Sequence, residues 1–296
     1  MENYMIVIAT VLSWALLQYQ VALDALHRDD WLESWSAWVA SYVAPSAGSR
    51  VATLLTLLVP VATLAIVLAL FGNWLLGLLG FAINVAALLY ACGRGDYEQS
   101  CERHIFALQQ EGSASQASPV EAWPALRASL NYLAYERWFP VVFWFLLLGA
   151  PGALFYRLLA CYAQPEASVS DTEAGLDNDG ESERSQSLDR GEIHRDAQSL
   201  LGWFDWLPVR LWALACALAG NFSAAFESLR SNIAGLQSTY DLLDDVVVAA
   251  ADVAPGMEPL PNDSAQCIAA LRQCCQLNRR VMVVTLVFVL LVIIIL

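Results

Sequence analysis

Residues Tyr135 to Leu158 read YERWFPVVFWFLLLGAPGALFYRL, an apolar run held between charged and aromatic ends. Glu136 and Arg137 stand just before the run, Arg157 stands at its far end, and Gly149-Ala-Pro151-Gly152 interrupts its middle. Helices that enter lipid carry Trp, Tyr and Arg at their ends, where amphipathic side chains reach headgroup level. Tyr135, Trp138, Trp144 and Tyr156 suit that use. Two paths are open. As one helix, 139–162 crosses the bilayer and carries the following segment to the far side. Alternatively, Pro151 removes a helix donor and its flanking glycines permit a sharp turn, so each half is a short helix in a re-entrant hairpin buried by its neighbours. The hairpin is the favoured path, and it leaves Arg157, Arg184, Arg190 and Arg195 on one side with Arg137.

Outward from this run, composition sets the class. Of 296 residues, 58 % are hydrophobic and 15 % charged, against roughly a quarter charged in soluble domains. The chain reads as a membrane protein. Its net charge of −14 is concentrated: residues 164–199 hold ten acids and three arginines, half of the total. No basic stripe exists, so nucleic acid is excluded as a partner. Lys is absent, which removes a Walker lysine, a Schiff-base lysine and a Ser-x-x-Lys nucleophile. No cofactor is implied, and a nucleotide has no Walker motif to hold it. The seven cysteines form no Cys-x-x-Cys pair, and His27, His104 and His194 are scattered, so no metal site is expected.

The fold class expected is all-α: a polytopic helical integral membrane protein with interfacial and cytoplasmic helices and one disordered acidic loop. Residues 1–162 are expected to be membrane helices with a cytoplasmic insert at 93–137. Met5 to Leu23 is apolar, lacks a basic region before it and a cleavage site after it, and reads as a retained helix. Trp31, Trp35, Trp38 and Tyr42 recur at helical spacing, which fits either a helix at the interface or one packed on the bundle. Val51 to Phe71 and Trp74 to Cys92 form a transmembrane hairpin, kinked at Pro60, whose arginine-rich flanks face the cytoplasm. Gly93-Arg-Gly95-Asp96 serves as a helix end and cap rather than a phosphate loop, and helices follow at 97–110 and from Pro124.

Residues 163–199 form an acidic linker, too poor in apolar groups to offset ordering entropy, and are expected to be disordered. In 200–296 an apolar, interfacial helix comes first. Phe222, Phe226, Leu229, Ile233, Leu236, Tyr240, Leu243 and Val247 then mark one apolar helical face, with Gly235 its weak point. Asp241, Asp244 and Asp245 read as solvated charge. A turn at 255–261, a short helix at 262–278 and a C-terminal anchor after Arg279-Arg280 complete the chain.

Glu136, Arg137, Arg157 and Arg210 are the charged groups nearest the apolar runs. Such groups are candidates for ligand binding or for an intramembrane ion pair, with Glu136 the expected partner of Arg210. Gly149, Pro151 and Gly152 are expected to make a structural turn.

A resemblance rests on Glu136, the FWF of Phe143 to Phe145, Gly149-Ala-Pro151-Gly152-Ala and Tyr156-Arg157. It continues at Trp206-Leu-Pro208-Val-Arg210-Leu and Gly220-Asn221-Phe222. These segments resemble the AmpE family of inner-membrane proteins, related to the CobD/CbiB adenosylcobinamide-phosphate synthases of the cobalamin pathway. The synthases carry Glu-Asn-x-x-Asp where this chain has Glu136-Arg137-Trp138-Phe139, and an Asn-Thr-x-Asp-Ser-Met motif where it has Leu158 to Tyr162. The scaffold is similar and most synthase motifs are missing, so catalytic residues stay unassigned. What the resemblance implies is a regulatory or sensory protein of the bacterial inner membrane, multi-pass, linked to β-lactamase induction and peptidoglycan recycling. Its implied partners are the lipid bilayer and a cytoplasmic peptidoglycan amidase or other membrane proteins. The alternative is a membrane-embedded, amide-forming ligase with a changed substrate.

Overall fold

The computed structural model describes residues 30–42, 49–71, 78–92, 97–111, 123–163, 180–232, 239–252 and 264–295, and over 180–196 the backbone alone. Features expected at 5–23, 93–96, 112–118 and 255–261 lie outside these residues. The described chain is all-α: α1 (Asp30–Tyr42), α2 (Ser49–Phe71), α3 (Leu78–Ala91), α4 (Tyr97–Glu111), α5 (Trp123–Glu136), α6 (Phe139–Leu148), α7 (Ala150–Ala163), α8 (Gly180–Ala219), α9 (Phe222–Asn232), α10 (Thr239–Ala250) and α11 (Ser264–Ile295). Among the described residues, two helices are long and apolar enough to cross a membrane, over Thr53–Phe71 in α2 and Ala265–Leu291 in α11. The chain divides into two compact units, one drawn from Gly93–Pro140 and Asp205–Leu296, the other from Ile8–Cys92 and Val141–Phe204.

In the second of these units α7 packs against α2 and α3, and α1 lies on α2. Leu32, Leu57, Leu158, Leu159, Ala163 and Ala197 form its core. The α1 aromatics divide their work: Trp35 Nε1 donates to the Thr56 carbonyl at 3.2 Å and Trp31 Nε1 to the Tyr90 hydroxyl at 3.0 Å, while Trp38 and Tyr42 stay exposed. Along α2, Leu54, Leu58, Ile66 and Leu70 are exposed although mean hydropathy reaches 2.7.

Gly149 decides how the central run is laid out. Its φ of +72° ends α6, a conformation open to glycine because no Cβ meets the following carbonyl. Its N–H closes the last turn on the Phe145 carbonyl at 2.8 Å, and its own carbonyl accepts from Gly152 and Ala153 at 3.1 and 3.3 Å to start α7. A Cβ on Gly152 would stand 2.6 Å from the Trp144 carbonyl oxygen, whereas eight residues of straight helix span about 12 Å. The chain therefore turns back at Gly149. With 10 and 14 residues, the two halves are about 15 and 21 Å long, each short of the ~30 Å hydrocarbon core. Residues 139–162 are two short helices broken at Gly149, not one continuous helix.

In the other unit α5 packs against α4, α10 and α11, α4 against α11, and α10 against α9 and α11. Tyr97, Cys101, Leu108, Trp123, Leu130, Ala134, Cys267 and Leu271 form its core.

Three expectations change in register. The face from Phe222 to Val247 is two helices rather than one, with α9 ending at Asn232 and α10 starting at Thr239. Gly235 itself lies outside the described residues, and α10 packs on α9 as well as on α5. The Asn221 N–H donates to the Ala250 carbonyl at 2.9 Å, so the start of α9 meets the end of α10 and the pair is antiparallel. Next, α11 is one helix of 32 residues, about 48 Å long, where a short helix and a separate anchor were expected. No Gly or Pro lies between Asn278 and Val281 to divide it, and the polar half supplies the length that the apolar run lacks. Finally, disorder was expected over 163–199, yet α8 begins at Gly180 and runs 40 residues, leaving 164–179 outside the description. A helix nucleated by the apolar 200–219 segment extends backwards at little cost.

Candidate functional site

One face of α5 gathers polar groups at helical spacing: Arg127, Asn131 and Tyr135, with Tyr132 and Glu136 one position further round. Arg127 grips Asp244 of α10 as a fork, Nε donating to Oδ1 and Oδ2 at 2.9 and 3.2 Å and Nη2 to Oδ2 at 2.7 Å. Asn131 Nδ2 donates to the same carboxylate at 2.9 Å. Asn278 of α11 joins by donating to Asn131 Oδ1 at 3.2 Å and to the Tyr97 hydroxyl at 2.9 Å. Asn131, Asp244 and Asn278 are all buried. The carboxylate holds the Arg127 pKa above its ordinary value against the opposing effect of burial. Asn278 Oδ1 is buried with no hydrogen-bond partner, an arrangement that costs about 1–3 kcal/mol.

A second cluster adjoins on α5. Tyr135 donates to Asp205 Oδ1 at 2.9 Å and Tyr132 to Oδ2 at 3.5 Å; Asp205 is only 1 % exposed. Tyr240 stacks on Tyr132 with centroids 4.0 Å apart, and Trp212 meets Tyr135 edge-on at 6.1 Å. Burial first, then the Asp205 charge, pushes the hydroxyl pKa of Tyr132 and Tyr135 well up, with Glu136 adding to both. At neutral pH these phenols are hydrogen-bond donors, not nucleophiles.

Of the four charged residues singled out from sequence, Glu136, Arg137 and Arg210 fall in one unit and Arg157 in the other. Glu136 lies beside the tyrosines and acts on them through its charge. Arg137 begins the turn after α5, its N–H bonded to the Leu133 carbonyl at 3.2 Å. Arg210 is held by its own helix, with Nη1 donating to the Trp206 carbonyl at 2.8 Å and its guanidinium carbon 4.1 Å from the centroid of that indole. Arg157 belongs to the other unit, buried within α7. Asp244 corrects the solvated reading of its trio: it is buried and forked by Arg127. Asp205 was overlooked, although a lone acid between Phe204 and Trp206 in an apolar run is itself a signal. Among the described residues no group of three or more His, Cys, Asp or Glu is placed to hold a metal ion.

Comparison of the chain with protein-family models, with curated proteins and with solved structures gives no match.

Proposed function

We propose that this chain is a polytopic protein of the bacterial inner membrane with an AmpE-like regulatory role in β-lactamase induction and peptidoglycan recycling, working beside a cytoplasmic peptidoglycan amidase. One observation supports the regulatory part: α11, whose stretch Ala265–Leu291 is long and apolar enough to cross a membrane, also contributes Asn278 to the buried polar network. A rigid element shared by two environments is what a sensor needs, because a change at either end biases the other. The unsatisfied Asn278 oxygen supports a network with a second arrangement in reach. The exposed apolar faces of α2 and of α11, with Val283, Val287, Phe288 and Leu291 outward, suit lipid contact.

The test is genetic. Deleting the gene should alter β-lactam-induced β-lactamase activity, and wild-type protein should restore it while Asn278→Leu, at equal abundance in the membrane, should not. Induction that is unchanged by the deletion sets the regulatory role aside.

A further inference from the structure

The sulfurs of Cys101 on α4 and Cys275 on α11 lie 2.8 Å apart although 174 residues separate them in sequence. A disulfide needs about 2.05 Å, so the atoms must close by less than ~1 Å, within a packed core that already fixes both helices. Cys101 is 3 % exposed, while Cys275 is partly open. The Tyr97 hydroxyl, which accepts from Asn278, belongs to a residue of the same core cluster as Cys101 and Cys275. Cys274, next along the helix, is fully buried and feels the charges of Arg127 and Asp244.

From this geometry we infer that Cys101 and Cys275 are a modification site: a dithiol that closes to a reversible disulfide by exchange with a small disulfide such as oxidised glutathione. Entry is at Cys275, the open member. Its thiolate attacks one sulfur of the small disulfide and expels one thiolate. Cys101 then attacks Cys275 Sγ in the mixed disulfide and expels the second. Two protein thiols are oxidised, one small disulfide is reduced to two thiols, and the two cysteine protons pass to the leaving thiolates. Disulfides in reducing compartments are characteristically transient and redox-sensing, and this one ties α4 to the polar half of α11, one residue pair away from the Tyr97–Asn278 hydrogen bond. The site does not depend on the regulatory role proposed above.

Full-length protein in detergent is incubated with oxidised glutathione, free thiols are capped with N-ethylmaleimide, and the protein is digested for mass spectrometry. The expected product is a peptide pair joined through Cys101 and Cys275, two hydrogens lighter than the free peptides together and released by dithiothreitol. Cys274→Ser should keep it and Cys275→Ser should lose it. Oxidation should raise the thermal midpoint of the wild type and leave that of Cys275→Ser unchanged. Recovery of both residues as N-ethylmaleimide adducts, a glutathione adduct that persists on Cys275, or a link from either residue to another cysteine overturns the inference, and the wild-type digest alone decides among these.

Discussion

Asp244 has both oxygens engaged, one shared between Arg127 and Asn131 and the other held by the Arg127 fork, so its charge is stabilised only while α5 and α10 stay together. Arg127→Ala leaves a buried carboxylate with Asn131 as its remaining donor and should cost on the order of 3 kcal/mol. Asp244→Ala should cost less, because the freed guanidinium is partly open to water, and the double variant should cost less than the two singles together. Denaturant unfolding of the four proteins measures this; strictly additive losses would mean that the residues do not act as a pair. The tyrosines give a pH test. Burial raises the Tyr240 pKa from 10.0 to about 12. The folded phenol stays neutral where the unfolded one ionises, so this stability is intact below 10 and falls as pH rises from there through about 12. Tyrosinate absorbance should accordingly lag behind that of the denatured chain, and Tyr240→Phe should flatten the alkaline loss of stability. At this scale the sequence is ambiguous for a definite reason: Asp241, Asp244 and Asp245 are chemically alike, and only the approach of α5 makes one of them a buried ion-pair member.

Among elements, the tightest junction is at Gly220, where an added Cβ would meet the Ala250 carbonyl oxygen at 2.2 Å. The obstacle is backbone, at the point where α10 returns to the cap of α9, and no side-chain rotation relieves it. Gly220→Ala should therefore lower stability by about 1–3 kcal/mol. Gly202 is the control: a Cβ there meets nothing within 4 Å, and Gly202→Ala should be neutral or stabilising by up to about 1 kcal/mol through helix propensity. Thermal unfolding in detergent should rank them with Gly220→Ala lowest; equal midpoints would remove the close-approach explanation. The break at Gly149 was legible in the sequence as Gly149-Ala-Pro151-Gly152, because breaks are written in residues with special backbone properties, whereas the Gly220 junction was not read from the sequence. The continuity of α11 and the backward extension of α8 were not, since helix propagation past polar residues depends on what is already helical beside them.

For the whole molecule, the exposed apolar faces of α2 and α11 predict where a charge is intolerable. An Asp in the middle of a lipid-facing helix costs about 2.5–3.5 kcal/mol of insertion free energy. The double variant Leu58→Asp with Val287→Asp should leave the alkali-washed membrane pellet, while Gln109→Asp, exposed on α4 outside both apolar spans, should remain in it. Retention of the double variant would show that these faces do not meet lipid. The apolar character of α2 and α11 was readable from composition, but the division into units was not, because each unit joins stretches far apart in the chain and no local pattern announces such pairing. That separation sets a timetable. Asn278 follows Asn131 by 147 residues, and at roughly 5–20 residues per second of synthesis the ribosome needs about 7–30 s to deliver it. Through that interval Arg127, Asn131 and Tyr97 are already made while the helix that completes their core is not, so each newborn copy must be sheltered from aggregation and degradation before its last large helix arrives.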